Sequence, residues 1–231
     1  GAVVVAGGYY ALSTIQPPGG GLALMRLPEG LQDVLASYGV TVVEALVLDP
    51  QNQPLTMQVP RQVSGFTVLD LQQVSYPPFV DVRREGMATD SPILSNLSGI
   101  TVQWGSPLEI DEELNRDREV ATLLKSTDKA WLRVSGDVGP DLDTYPQFGF
   151  PVEGNQDSRT LAVSIRGTFQ SHFKDLPSPF EGEAVSATST VGRMITESSD
   201  SARLVVIGSS EMVDDQALPF IKKHLPLEQA F

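Results

Sequence analysis

The sequence predicts an open, mostly parallel α/β sheet carrying a β-rich insertion, and three observations lead there. The chain opens on the apolar run Ala2–Ala6. Residues 27–52 read as an amphipathic helix that stops at a glycine and feeds two apolar segments. Arg203–Ile207 is almost continuously apolar and ends in Gly208, the pattern of a strand covered on both faces of a parallel sheet. Strand, helix, strand at the start and strand, loop, helix at the end fit the alternating order of such sheets. The sheet domain is expected over residues 1–50 and 120–231, with the insertion over 51–119.

Taken in order, Ala2–Ala6 is the first strand and Gly7-Gly8 its exit. Pro17-Pro18-Gly19-Gly20-Gly21 forbids regular structure, so a loop precedes a short buried strand at Leu22-Ala23-Leu24-Met25. Pro28 suits a first helical turn, and Leu31, Val34, Leu35 and Tyr38 fall on one face. Gly39 can take the left-handed conformation that closes a helix, after which Val40-Thr41-Val42-Val43 resumes as strand. Leu46-Val47-Leu48-Asp49-Pro50-Gln51-Asn52 follows.

Between Pro50 and Pro107 the pattern changes to short pieces broken by proline and glycine. Strands are expected at 63–71, 79–82 and 100–104, with one helical turn over 92–97 behind a Ser91 cap. The acidic stretch 109–119 is a surface turn leading to a strand at 120–124. Residues 135–158 are rich in Gly, Asp and Pro and are expected as a long mobile loop. Residues 160–169 alternate as a half-wet strand does. The stretch 170–201 is rich in Ser, Thr, Pro and Glu and is expected to be partly disordered, and 216–224 offers a short helix capped by Asp214 or Asp215.

Two passages carry a family resemblance. Tyr38-Gly39 through Leu46-Val47-Leu48-Asp49-Pro50, and Val205-Val206-Ile207-Gly208-Ser209-Ser210-Glu211, resemble the auxiliary domain of uncharacterised ABC-type transport systems of the gliding-motility, GldG-like kind. The resemblance covers roughly residues 27–215. It implies a flavodoxin-like or amidotransferase-like sheet on the extracytoplasmic side of a membrane. It also implies anchoring helices outside this domain and, as partners, permease and ATPase subunits, the latter hydrolysing ATP. The chain departs from that pattern between Tyr9 and Gly21, which is short for the family's connecting helix.

Composition narrows the function. Of 231 residues, 29 are acidic and 16 basic, a formal charge of −13, and such a field repels phosphate backbones and anionic headgroups. Nucleic acid is therefore not an expected partner. The longest apolar run is too short to cross a bilayer, so the membrane is expected only through segments outside this chain. Cysteine is absent, which removes disulfides, thiolate zinc sites and the cysteine nucleophile of the amidotransferase relatives.

The candidate chemistry is sparse. Gly19-Gly20-Gly21-Leu22 lacks the lysine and hydroxyl residue that a phosphate loop needs. Gly208-Ser209-Ser210-Glu211-Met212 follows a buried strand as a hydrolase elbow would, but Met212 stands where the turn requires glycine. Only His172 and His224 could serve as a base, and neither sits in a supporting motif. The acidic clusters Asp111/Glu112/Glu113 and Glu181/Glu183 lie in polar, solvated sequence rather than in a dry cleft, and no metal or cofactor is expected. Ligands of open α/β sheets collect beyond the carboxyl ends of the strands, so Gly7, Gly8, Ser209, Ser210 and Glu211 form the expected pocket. Tyr145, Phe148 and Phe150 are the expected partner-contact residues. The leading expectation is a non-catalytic accessory domain, and the alternative is a module binding a sugar or peptide, or a degenerate hydrolase, at the sheet edge.

Overall fold

The computed structural model describes residues 1–13, 23–27, 31–175 and 196–211. In chain order the elements are β1 (Ala2–Ala6), β2 (Tyr10–Leu12), β3 (Leu24–Arg26), α1 (Gln32–Ser37), β4 (Val40–Val42) and β5 (Leu46–Leu48). Next come β6 (Leu55–Val63), β7 (Phe66–Val74), β8 (Phe79–Arg83), β9 (Gly99–Gln103) and β10 (Leu108–Ile110). The last are β11 (Glu119–Lys125), β12 (Trp131–Arg133), β13 (Thr160–Arg166) and β14 (Arg203–Ile207). Residues 212–231 lie outside the described residues, with the helix expected at 216–224, as do Pro28 and most of the stretch 170–201.

The open parallel α/β sheet is not what forms. One four-stranded sheet, ordered β1-β14-β13-β11, contains a single parallel pair, β1 with β14, and its other pairings are antiparallel. The remaining strands pair two by two: β4 with β10, β5 with β12, β2 with β3, β6 with β7, and β8 with β9. Parallel neighbours need crossover helices to cover them, and α1, six residues long, is the one α-helix among the described residues. The fold is therefore mostly β, neither flavodoxin-like nor amidotransferase-like. The misreading has a physical cause: after Arg203, β14 is apolar because Leu204 and Val206 cluster with Leu35, Val40 and Val42 while Val205 clusters with Val47, Val80 and Val102, and a core made mostly of strands leaves the same sequence pattern as a helix-covered parallel strand. Beside it, β1 is an edge strand with Val3 and Val4 exposed.

Short backbone links join the small sheets into one core. Val47 N donates to Gly105 O at 2.8 Å, Ser106 N to Gly208 O at 2.6 Å, and Gly208 N to Leu161 O at 2.9 Å. Around this seam Val47 packs with Val80, Val82, Val102, Leu161 and Val205. A second cluster joins Leu35, Val40 and Val42 to Val163, Ile165, Leu204 and Val206, so the helix-to-strand passage does lie against β13 and β14. A third gathers Tyr76, Phe79, Trp104, Trp131 and Phe150, with Tyr76 and Phe79 edge to face at 4.8 Å. Across the expected boundary at residue 50, β4 pairs with β10 and β5 lies beside Gly105.

Gly39 ends α1 at φ +78°, as the sequence predicts. Asn115 Nδ2 donates to its carbonyl at 3.1 Å, and Arg118 bonds Tyr38 O at 3.0 Å while lying 4.5 Å from the centre of the Phe169 ring. The turn of 111–118 thus caps the helix exit. Residues 135–158 form no helix and no strand, yet Val138 and Phe150 are buried in the aromatic cluster, so this connection is anchored rather than loose. The strand expected over 63–71 is split by Ser64-Gly65, both at positive φ (50° and 83°). Two successive left-handed residues make the hairpin turn that matches strand twist, and β6 and β7 run antiparallel for nine residues each.

Candidate functional site

The parallel pairing of β1 and β14 sets their carboxyl ends side by side, so Gly7 and Gly8 follow one strand and Gly208, Ser209, Ser210 and Glu211 the other at the same edge of the sheet. Gly7 N donates to Ile207 O at 2.9 Å. Both serine hydroxyls and one Glu211 oxygen there bond to backbone. Ser209 Oγ donates to Gln103 O at 2.6 Å, Ser210 Oγ to Tyr10 O at 3.3 Å, and Glu211 Oε1 accepts from Leu12 N at 2.8 Å. Ser106 Oγ accepts from Tyr9 N at 2.9 Å. Ser209 and Glu211 are both buried. A buried carboxylate and hydroxyl held this way satisfy backbone groups of β2 and β9 from outside their own strand pairs, and they fasten residues 8–12 to the seam.

Gly208 is the closest approach in this knot: a Cβ there falls 2.1 Å from the carbonyl oxygen of Ser106. Gly208→Ala is expected to destabilise by about 1–3 kcal/mol, the range for overpacking a fixed site, because the obstacle is backbone and cannot swing away. Urea denaturation measures it. A loss below about 0.5 kcal/mol means the seam between residues 106 and 208 gives way more readily than this contact implies.

A second site had no sequence signal beyond Asp49-Pro50. Asp49 is fully buried. Its Oδ1 accepts from Gln51 N at 2.8 Å and Thr127 Oγ1 at 2.9 Å, and its Oδ2 from Thr127 N at 2.7 Å. Asn52 Oδ1 accepts from Tyr76 N at 2.8 Å while Nδ2 donates to Asp49 O and Pro50 O. Beside this hub lies an open cleft of about 350 Å3 whose walls include Gln51, Asp81, Glu85, Lys125, Thr127 and Asp128. Gln51 Nε2 donates to Asp81 O at 2.6 Å, and Arg83 Nε bonds Asp81 Oδ2 at 2.8 Å. Three carboxylates and one ammonium stand around this cleft. These residues come from β8, the turn after it, β11 and the turn beyond it, so no local spacing announces them.

Of the expected contact aromatics, Tyr145 is exposed at the surface. Phe148 is partly buried, its ring 5.7 Å from that of Trp131. Phe150 is 3% exposed, packed against Tyr76 at 5.9 Å and beneath the Arg133 guanidinium at 5.6 Å. His172 lies edge on to Phe173, and His224 is outside the described residues. The apolar surface that the sequence reading missed is on β7, where Phe66, Leu69 and Leu71 are 75%, 62% and 68% exposed.

These features define a β-rich protein whose strand-end serines are bonded to backbone and whose β6–β7 hairpin carries several exposed apolar side chains. A family profile described as an ABC-type uncharacterized transport system matches residues 2–230, so the chain belongs to that family. It is an auxiliary component of ABC-type transport systems. Comparisons with curated proteins and with solved structures return no match. Among the described residues no helix is long and apolar enough to cross a membrane.

Proposed function

We propose that this chain is a non-catalytic, extracytoplasmic accessory domain that works by protein contact within its transport complex, tethered by membrane segments outside this chain. Permease and ATPase subunits of the same system are its partners, as in the gliding-motility type. The observation that carries this reading is the binding of Ser209, Ser210 and Glu211 to backbone. A serine whose proton is engaged by a backbone carbonyl, with no imidazole bonded to it among the described residues, serves as a fastener, which supports the non-catalytic reading. Family membership supports the same assignment.

Detergent extraction of the full-length protein, followed by affinity recovery, is expected to bring the permease and ATPase of its own system with it. Recovery of neither overturns the reading. Protease added to spheroplasts is expected to cleave the domain, and protection until lysis contradicts the extracytoplasmic placement.

The cleft beside Asp49 favours a second reading, a module that binds a small sugar or peptide. A ligand at 100 times its dissociation constant adds about 2.7 kcal/mol to the folded state. Thermal unfolding in the presence of sugars and short peptides separates the readings: a rise that Asp81→Asn abolishes supports ligand binding, and flat melting points across the set support the contact role.

A further inference from the structure

The hairpin of β6 and β7 extends about 30 Å at roughly 3.4 Å per residue, and its pairing is confined to its own two strands among the described residues. A two-stranded ribbon alone is marginal in water, and this one carries exposed apolar side chains on both faces. Alternation puts Phe66 and Val68 on one face and Leu69 and Leu71 on the other, all four exposed.

Its two edges differ. The two-residue turn closes on Val63 opposite Phe66, which in such hairpins is a hydrogen-bonded pair, and pairs then alternate. Pro60 falls opposite Leu69, in a non-bonded pair, where the missing proline N–H does no harm inside the ribbon. The same alternation turns the amide and carbonyl groups of Thr67, Leu69, Leu71 and Gln73 outward along β7. The outer edge of β6 is interrupted by Pro60, a device that blocks strand addition. Each arm therefore has one edge competent to add a strand.

We propose that β7 pairs antiparallel with β7 of a second copy of this chain, making a four-stranded ribbon, β6-β7-β7-β6. One competent edge per copy means that the pairing uses both edges and closes at two. Charge favours this route to self-association. The chain carries −13, but residues 55–74 contain one Arg and one Asp, so the arms meet without net repulsion. Antiparallel arms also hold the acidic bodies about 30 Å apart, well beyond the ~8 Å screening length of physiological salt. A register centred on Asp70 sets two carboxylates opposite each other, which is unfavourable. Centring on Leu69 avoids this, pairs Leu69 with its copy and sets Thr67 opposite Leu71. The contact is only roughly 300 Å2 per copy for an edge about 30 Å long and 10 Å deep, against about 800 Å2 in a standard interface, so the dimer is weak and reversible.

Sedimentation equilibrium is expected to show a monomer–dimer equilibrium at tens of micromolar or above, changing less than about threefold between 50 and 500 mM salt. Leu69→Pro removes an outward N–H without removing a bond of the hairpin and is expected to weaken the dimer at least tenfold. Because the chain has no cysteine, Leu69→Cys offers one thiol. Hydrogen-bonded antiparallel partners sit about 5.5 Å apart at Cα, within reach of a short bis-maleimide, so Leu69→Cys is expected to cross-link at least tenfold faster than Gln58→Cys on the blocked edge. A wild type that stays monomeric to about 1 mM overturns the proposal. So does a dimer that salt strengthens tenfold, one that Leu69→Pro leaves intact, or equal cross-linking at the two edges. A monomer whose Leu69→Cys thiol is instead shielded by the transport subunits assigns the arm to them.

Discussion

Asp49→Ala is expected to remove about 3–5 kcal/mol of folding stability, which is a large fraction of the 5–15 kcal/mol that holds a typical domain together. The side chain is 0% exposed and accepts three hydrogen bonds, one from Gln51 N and two from Thr127. Alanine leaves those donors facing a cavity, and each unsatisfied buried donor costs about 1–3 kcal/mol, more where the lost partner carried charge. Asp49→Asn keeps the shape but turns an NH2 group toward an N–H or hydroxyl, so a smaller loss is expected. Thr127→Val removes the hydroxyl alone. Because the two side chains are in direct contact, their effects should not add, and a double-mutant cycle is expected to give a coupling of about 1–3 kcal/mol. Urea denaturation of the four proteins measures it. Additivity within about 0.3 kcal/mol rules out Asp49 as the tie between β5 and the turn after β11.

Trp104→Ala is expected to cost a similar amount, about 3–5 kcal/mol, the range for emptying an aromatic core position. Trp104 is fully buried, edge to face with Phe79 at 4.9 Å, and donates from Nε1 to Tyr76 Oη at 3.2 Å. It does so at φ +46°, a conformation costly for a bulky residue. Tyr76 Oη in turn donates to Val138 O at 2.9 Å, which anchors the 135–158 connection. Burial raises the Tyr76 phenol well above its ordinary 10.0. The consequence for stability has a definite sign. Above pH 10 the unfolded chain releases this proton while the folded chain keeps it, so stability falls as pH rises beyond about 10, by up to about 1.4 kcal/mol per pH unit. Tyr76→Phe is expected to lose about 1–3 kcal/mol at neutral pH, yet to show a shallower decline between pH 10 and 11.5. Equal alkaline slopes in wild type and variant mean that the phenol is not held protonated by the fold.

The parts of this fold legible from sequence are those set within a few residues. Gly39 closes α1 because a left-handed position one residue past the last helical contact selects glycine, and Val40, Val42 and Leu204 to Val206 are buried as their runs of apolar residues imply. What covers those strands was not legible. An apolar run states that both faces are dry, not whether a helix or another sheet dries them, and this ambiguity turned a mostly β fold into an expected α/β one. Ser64-Gly65 is a turn dipeptide, but the apolar residues on either side of it read as one continuous strand. The parallel pairing of β1 and β14 brings their carboxyl ends together, as two apolar runs each followed by glycine lead one to expect. The engagement of Ser209, Ser210 and Glu211 with Gln103, Tyr10 and Leu12 depends on partners about 100 to 200 positions away, beyond the reach of any local rule. The cleft built from Asp81, Lys125 and Thr127 escaped for the same reason.

The pairing of Ala2 with Arg203 also sets a timetable for biogenesis. A ribosome adding about 5–20 residues per second needs roughly 10–40 s to reach β14 after β1 emerges. Through that interval the strand containing Val3 and Val4 has a sticky backbone and nothing to join, so nascent chains are open to capture by one another. Holding factors that bind extended apolar segments should therefore matter more to the yield of this protein than to its final stability.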